Sequence, residues 1–367
     1  MAKSRIPVYR PDLSGNELKY VTECINSSWI SSKGQFVSRF EEQFAKYCGL
    51  KYAASVSNGT VALHTALAAL NIGPGDEVIV PTLTYIASVN AIKYTGAVPV
   101  FVDSLTDTWQ MDPVDVKRKI TPKTKVIMVV HLYGQPTDMD PIMKLANKNK
   151  IKVIEDCAEA LGSKYKSKHV GQFGDIACFS FFGNKTITTG EGGMVATNSK
   201  QLIDKVRRIK GQGLAEGREY WHDILGYNYR MTNICAAIGL AQLERINYLM
   251  ESKRKIANKY QQLFANSPIT FHKEIGDVVH SFWMCSILVP ASKFRDPLRK
   301  RLSDNGIETR PLFWPVHQMP VYATGEEFPV AQDLSSRGLN LPSWPGLSDG
   351  NIELIASLIN SFVTAES

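Results

Sequence analysis

The chain has 367 residues, and this length favours two domains over a single compact core. Its 44% apolar and 21% charged residues are ordinary for a soluble globular protein, and no apolar run reaches the length of a membrane-spanning helix. The net charge of +7 comes from dispersed basic residues without interleaved aromatic side chains, which argues against a nucleic-acid surface.

Short apolar segments alternate with helical patterns through the first 210 residues. Predicted strands are "KYAASVS", "GDEVIVP", "VPVFVD", "KVIMVVHLYG", "KVIEDCAEA", "DIACFSFF" and "GGMVATN". Predicted helices between them are "GTVALHTALAALNIG", "YIASVNAIKYTG" and "MDPIMKLANKNK". This alternation predicts an α/β fold with a mostly parallel sheet covered by helices on both faces.

The pattern changes after Met231. Residues 232–265 have the apolar spacing of one long helix, which we expect to connect two domains. A strand in "HSFWMCSILVP" and helices in "DPLRKRLSDNG" and "NIELIASLINSFV" follow. We therefore predict a large domain over residues 1–245 and a smaller α+β domain over residues 246–367.

The first candidate site is the turn "SNGT", where a predicted strand gives way to a helix. The N–H groups at a helix start, together with the helix dipole, favour a phosphate. Gly59 would let the backbone approach the ligand closely, and Thr60 would offer a hydroxyl. The alternative is an ordinary capped turn.

The second candidate site is "KVIEDCAEALGS". Glu155 and Asp156 end an apolar strand, and Glu159 follows three residues later. Ligands of open α/β folds usually bind at the carboxyl ends of the strands. A buried carboxylate there needs a cationic or hydrogen-bonding partner, whereas a solvated loop carboxylate does not.

The third candidate site is Lys185 in "FSFFGNKTITTGEGGMV", between two predicted core strands. Most lone lysines are solvated surface charges. A lysine, a strand-end acid and a phosphate-binding turn are, however, the three groups that pyridoxal phosphate (PLP) requires. They bind its aldehyde, its ring nitrogen and its phosphate.

Several motifs carry a specific resemblance along nearly the whole chain. "SNGTVALHTAL", "PTLTYIAS", "VIEDCAEALGS", "FSFFGNKTITTGEGGMV" and "GYNYRMTNICAAIGLAQL" resemble the sugar-nucleotide aminotransferases. That family implies fold-type I, an aspartate aminotransferase-like three-layer αβα domain with a smaller C-terminal α+β domain. It also implies a homodimer whose two subunits share their active sites.

The resemblance implies a role for each matching residue. Lys185 would bind the cofactor aldehyde, and Asp156 would hold the ring nitrogen. Glu159 would lie near the ring hydroxyl, where many relatives have glutamine. Further cofactor contacts would come from Gly59, Thr60, Tyr85, Ser180 and, across the dimer, Asn228 of the neighbouring subunit. Substrate contacts would come from Trp29, Ser31, Ser32, Lys33, Arg230, Arg310 and His317. A packed histidine is the alternative for His317.

The resemblance further implies that L-glutamate converts PLP to pyridoxamine phosphate (PMP). The amine would then pass to a GDP-linked 4-keto-6-deoxy sugar, for surface polysaccharide assembly. UDP- or dTDP-linked keto sugars are alternative substrates. A sugar dehydratase of the same fold would have histidine in place of Lys185, and a non-enzymatic regulatory homologue would not need the full set of cofactor residues.

The six scattered cysteines lack metal-ligand spacing, and we expect no metal site. The first residues have no apolar core of a secretory signal, so we expect a cytoplasmic protein without a membrane or nucleic-acid partner.

Overall fold

The computed structural model describes residues 5–366. The helices are α1 (Glu17–Ser27), α2 (Gln35–Cys48), α3 (Gly59–Ala69), α4 (Ala87–Tyr94), α5 (Pro113–Lys119), α6 (Met139–Asn149), α7 (Lys200–Lys210), α8 (Asn233–Glu244), α9 (Ile246–Leu263), α10 (Arg295–Asp304), α11 (Pro329–Arg337) and α12 (Asp349–Glu366). The strands are β1 (Tyr52–Val56), β2 (Glu77–Pro81), β3 (Val98–Val102), β4 (Thr124–Val130), β5 (Lys152–Asp156), β6 (Lys164–Tyr165), β7 (Lys168–His169), β8 (Ile176–Ser180), β9 (Gly193–Thr197), β10 (Thr270–Phe271), β11 (Val278–Val279), β12 (Cys285–Leu288), β13 (Arg310–Pro311) and β14 (Gly338–Leu341).

The largest sheet has seven strands in the order β1-β9-β8-β5-β4-β2-β3. Strand β9 runs antiparallel to both neighbours, and the other pairs are parallel. Side chains alternate between two buried layers: Ile176 and Cys178 face one hydrophobic cluster, and Ala177 and Phe179 face the other. The predicted mostly parallel sheet with helices on both faces is thus confirmed.

Helix α3 packs on one face of this sheet, against β8 and β9. Its N-cap is Asn58, whose side chain accepts a hydrogen bond from the Val61 N–H at 3.0 Å. Seven of its eleven residues are buried, because it lies between the sheet and helices α4 and α7. Its first turn is therefore held at the carboxyl ends of the central strands.

A second sheet of four antiparallel strands, in the order β10-β12-β14-β13, forms a separate core with α9, α10 and α12. Ile6, from the start of the chain, pairs with Ile307 in this part of the molecule. This is the smaller α+β unit. The boundary at residue 245 stays a prediction.

The single long helix predicted over residues 232–265 is wrong. Helix α8 ends at Glu244, and α9 begins at Ile246, after Arg245 with φ −109° and ψ 9°. The guanidinium of Arg245 binds the carboxylate of Asp12 at 3.0 Å. The apolar pattern continues across the break because both helices are packed against the core, so periodicity alone cannot detect it.

Within residues 5–366, we find no helix with the length and apolar character needed to cross a membrane.

Lys253 is completely buried on α9, where its ammonium donates a hydrogen bond to the Ser343 carbonyl at 2.9 Å. Burial lowers its pKa from 10.5 to about 8. The folded protein therefore binds fewer protons than the unfolded chain between about pH 8 and 10.5, and the lysine destabilises the fold most below this window.

We therefore expect Lys253→Met to raise the free energy of unfolding below pH 8, by up to roughly 3 kcal/mol. The gain should shrink as the pH rises toward 10.5, because the unfolded lysine then loses its proton as well. Urea unfolding at a series of pH values measures this change. Lys144→Met, at an exposed position on α6, is the control, and a gain that does not depend on pH contradicts the prediction.

Candidate active site

A cavity of about 580 Å³, here called the inner cavity, lies at the carboxyl ends of β2, β4, β5 and β8. Its size is in the usual range for a small-molecule site. Among the described residues, those that line it are Asn58, Gly59, Thr60, Val61, Leu63, Thr84, Tyr85, Ala87, Ser88, Tyr94, Val130, Asp156, Ala158, Glu159, Ser180, Phe182, Asn184, Lys185, Glu191, Trp283 and Phe313. The inner cavity therefore brings together all three sites predicted from the sequence.

The start of α3 forms one wall of the inner cavity. A Cβ added to Gly59 would lie 2.7 Å from the Cβ of Ser180, so glycine is needed for the close approach of α3 to the end of β8. Thr60 and Ser180 contribute hydroxyl groups to the same wall. Helix N–H groups, the helix dipole and two hydroxyls form a set of donors suited to a phosphate.

Asp156 lies at the end of β5 and is buried. Its carboxylate accepts hydrogen bonds from the Ser88 hydroxyl at 2.8 Å and the Ala158 N–H at 3.1 Å. Burial raises its pKa, and these donors together with Lys185 oppose the rise. A cationic partner in the cavity would favour the ionised carboxylate further.

Lys185 and Glu159 form a buried pair, with Nζ 3.8 Å from the Glu159 Oε1. Glu159 also accepts a hydrogen bond from the Tyr133 N–H at 2.8 Å. Burial raises the pKa of Glu159 to about 7, although Lys185 and the Tyr133 N–H oppose that rise. Burial lowers the pKa of Lys185, and the two carboxylates, Glu159 and Asp156, oppose this. A larger fraction of the amine is thus neutral, which a nucleophilic lysine requires.

Trp283 comes from the second unit of the chain and was not predicted from the sequence. Its ring centroid lies 3.8 Å from the Lys185 ammonium, and its indole N–H donates to the Asn184 carbonyl at 2.7 Å. Phe313 lines the same cavity. Trp283 lies in an apolar run that looks like a core strand, so the sequence carries no local signal for it, whereas Phe313 lies in "ETRPLFWPVH", the segment of the predicted Arg310 and His317.

A second cavity of about 680 Å³, here called the outer cavity, adjoins the inner one. The two share the lining residues Thr84, Tyr85, Phe182, Asn184, Trp283 and Phe313. Tyr85 is 56% exposed, as a ring available to a ligand would be. Arg310 lines the outer cavity and pairs with Glu308, so it lies near the inner site without entering it.

Other predicted residues do not line the described part of either cavity in the single chain. Asn228 accepts hydrogen bonds from the side chain of Arg230, at 3.1 and 3.3 Å. The segment Trp29–Gly34 joins α1 to α2, and the Asn233 side chain donates to the Trp29 carbonyl at 2.7 Å. Among the lining residues that the structure describes, neither cavity includes Trp29, Ser31, Ser32, Lys33, Asn228 or Arg230.

His317 is buried and does not line the described part of either cavity. Its Nδ1 lies 2.7 Å from the Thr82 hydroxyl, and its Nε2 lies 3.2 Å from the Gln332 amide. Burial lowers its pKa. The alternative of a packed histidine agrees with these contacts, and the substrate contact stays a prediction.

His131, Glu155 and Cys157 form a compact buried group that could be taken for a metal site. Glu155 accepts hydrogen bonds from the N–H groups of residues 171, 173 and 174 and contacts His131 Nε2 at 3.1 Å. The Thr137 N–H donates to His131 Nδ1, so Nε2 carries the proton and donates to Glu155. These hydrogen bonds occupy both ring nitrogens and account for the group as a structural one.

The residues of the inner cavity fit PLP in the chemistry of their donors and acceptors. Gly59 lets the start of α3 lie against Ser180, so that the helix N–H groups and the Ser180 hydroxyl line the same cavity. The model of the DegT/DnrJ/EryC1/StrS aminotransferase family matches residues 11–360. The chain belongs to this family and is a PLP-dependent aminotransferase, which confirms the predicted family, fold-type I architecture and cofactor.

The chain is also similar to individual named proteins. The chain is 60% identical to the GDP-perosamine synthase of Escherichia coli O157:H7, over 97% of this chain and 98% of the relative. It is 51% identical to the GDP-perosamine synthase of Vibrio cholerae, over 97% and 99%. The PLP form of Spr1654 from Streptococcus pneumoniae superimposes with a TM-score of 0.93, at 29% identity over 98% of this chain and 99% of that one.

We expect Glu159→Gln to lower the pKa of Lys185 further, because the variant lacks a carboxylate that favours the charged amine. The effect should be largest above about pH 7 and fade below it, where the wild-type carboxyl is protonated. The rate at which a small amine-reactive reagent modifies Lys185, followed against pH in the full-length cofactor-free protein, measures this pKa.

Glu191→Gln is the matched control for this prediction, since Glu191 lines the same cavity from an exposed position. Its titration curve for Lys185 should match that of the wild type. An unchanged or raised pKa of Lys185 in Glu159→Gln would contradict the coupling of the buried pair.

Proposed function

We propose that the protein transfers the amino group of L-glutamate to C4 of GDP-4-keto-6-deoxy-D-mannose, giving GDP-perosamine and 2-oxoglutarate. The observation that carries this proposal is the meeting of Lys185, Asp156 and the start of α3 in one inner cavity that adjoins a second, outer cavity. The GDP-linked sugar is chosen because two relatives with 60% and 51% identity are GDP-perosamine synthases.

PLP would be held by two sets of groups that line the inner cavity. Its phosphate would meet the N–H groups at Gly59 and Thr60 and the hydroxyl of Ser180. Its ring nitrogen would donate to Asp156, whose carboxylate is oriented by Ser88. When bound, PLP supplies an electron sink and a carrier for the amino group.

Lys185 would bind the cofactor aldehyde at rest and act as the base during transfer. Its Nζ would take a proton from the α-carbon of glutamate and hold it for delivery to the cofactor carbon. The lowered pKa increases the neutral fraction of the amine, and the Glu159 carboxylate would partly balance the positive charge when Nζ is protonated. Burial of both groups keeps bulk water from competing for this proton.

The sugar nucleotide would occupy the outer cavity, with its C4 carbonyl directed toward Lys185. Arg310 provides a cation for the diphosphate, and the half-exposed ring of Trp314 provides a face on which a nucleobase can stack. Tyr85 and Phe313 line both cavities and would contact the ligand where cofactor and sugar meet.

The proposal includes a homodimer. Two large apolar side chains are exposed in the single chain: Trp29 is 57% exposed and Tyr220 is 92% exposed. Burying such side chains against a second subunit would be favourable. A second subunit that covers these side chains would bring its Asn228, Arg230 and Trp29–Gly34 segment toward the site of its partner.

Substrate preference tests the proposed reaction. Incubation with L-glutamate and GDP-, UDP- and dTDP-linked 4-keto-6-deoxy sugars should give a kcat/KM for the GDP sugar that is roughly 100-fold or more above the others. Product analysis should identify a 4-amino sugar. Lys185→Ala is the negative control, and a preference for the UDP or dTDP sugar would overturn the GDP assignment while leaving the family intact.

Mixed dimers test whether the sites are shared between subunits. We expect Lys185→Ala and Asn228→Ala to be nearly inactive alone, whereas in a mixed dimer one site would receive both intact residues. Random exchange of equal amounts makes half of the dimers mixed, so activity should recover to roughly a quarter of the wild-type value. Native mass spectrometry verifies that mixed dimers form. No recovery would place Asn228 in the site of its own chain or outside the site.

A further inference from the structure

An extended segment near the start of the chain, residues 6–12, connects the two units of the molecule and is here called the strap. Ile6 exchanges backbone hydrogen bonds with Gly306 and Glu308 of the smaller unit. The Val8 carbonyl accepts a hydrogen bond from the Ser343 N–H at 3.4 Å. At the other end, Asp12 binds Arg245 between α8 and α9. The strap is thus fixed on both sides of Tyr9.

The Tyr9 hydroxyl donates a hydrogen bond to the backbone carbonyl of Lys185 at 2.5 Å. The neighbouring carbonyl, of Asn184, accepts from the Trp283 indole at 2.7 Å. The Lys185 N–H donates to the Phe182 carbonyl at 2.9 Å. Two side chains from outside the large sheet therefore hold consecutive peptide groups of the loop that presents the reactive amine.

The surroundings of Tyr9 favour a neutral phenol that donates. Burial raises its pKa, and the nearby Asp12 raises it further. The Lys253 ammonium lies 5.6 Å from the centroid of its ring and is fixed by the Ser343 carbonyl. Ser343 also holds the strap through Val8, so the ring is confined from the side of the smaller unit.

We propose that Tyr9 is a positioning residue whose hydroxyl fixes the Lys185 backbone, so that Nζ stays over the Trp283 ring and within reach of Glu159. This inference rests on the proposed role of Lys185. The amine sits at the end of a flexible side chain, so its placement depends on where the Cα is held. A displacement of about 1 Å at a reacting group can cost roughly 100-fold in rate.

The test compares Tyr9→Phe with Tyr260→Phe in the full-length holoenzyme. Tyr260 is the matched control: it is fully buried in the smaller unit, and its hydroxyl also donates to a backbone carbonyl, that of Pro342, at 3.0 Å. Both variants keep the ring and lose one hydroxyl, so they should fold and lose similar thermal stability.

For Tyr9→Phe we expect kcat to fall roughly 10- to 100-fold, with KM for L-glutamate and for the sugar nucleotide within about threefold of wild type. The second KM is needed because Tyr9 also lines the outer cavity. Amide hydrogen exchange in residues 182–189 should be faster than in the wild type. This measurement detects greater mobility of the loop that carries Lys185 and does not depend on enzyme activity. Tyr260→Phe should keep kcat within about twofold and leave this exchange unchanged.

The proposal stands only if Tyr9→Phe shows both the loss of kcat and the faster exchange, and Tyr260→Phe shows neither. Any other combination overturns it. A failure of the proposed function gives a different result. In that case Lys185→Ala would retain turnover, and this measurement does not depend on the outcome for Tyr9→Phe.

Discussion

A lysine amine buried against a carboxylate and an indole ring is the interaction on which the site depends. Charged groups are costly to bury unless they are paired, and here each group of the pair limits the cost of the other. Glu159 lies 3.8 Å from Lys185 Nζ and is itself held by the Tyr133 N–H. Burial shifts both groups toward their neutral forms, with the pKa of Glu159 raised to about 7 and that of Lys185 lowered. Both shifts bring the pKa values of the two groups closer together, which would suit the proton transfer proposed for this site.

The topology of the large sheet explains why these groups meet. Parallel strands place their carboxyl ends at one edge, and β5, which ends at Asp156, pairs with β8, which ends at Ser180. The chain then turns back through the loop that carries Lys185 and enters β9, antiparallel to β8. A reversal directly after β8 keeps Lys185 at this edge, whereas a helical crossover would carry the chain to the opposite end of the sheet. The antiparallel strand is therefore a local requirement of the site as well as a feature of the fold.

The sequence was sufficient to predict groups whose signal is local. The alternation of apolar strands and helices indicated the parallel sheet, and strand ends located Asp156 and Lys185. Trp283 and Tyr9 could not be found in this way, since they contact the lysine loop across 99 and 176 residues of chain. Such contacts depend on how the smaller unit and the strap fold back over the large sheet, and neither residue lies in a pattern that marks it. The break at Arg245 has no local signal either, because the apolar pattern continues across it and the contact that Arg245 makes is with Asp12, more than 200 residues away.

Glu155 and Asp156 illustrate how strand geometry gives neighbouring carboxylates different environments. Side chains of a strand alternate between its two faces, so Asp156 points into the inner cavity and Glu155 points to the opposite face. Glu155 there accepts three backbone N–H groups and the proton of His131, which satisfies its charge inside the protein. Asp156 accepts only two hydrogen bonds from described residues, and burial raises its pKa. The Asp156 carboxylate can accept further hydrogen bonds, and it lines the cavity proposed for the PLP ring. A protonated ring nitrogen would supply one of them. Asp156 is thus the carboxylate that can still accept hydrogen bonds from a ligand. Glu155 instead uses its oxygens to bind the backbone of residues 171–174 and His131.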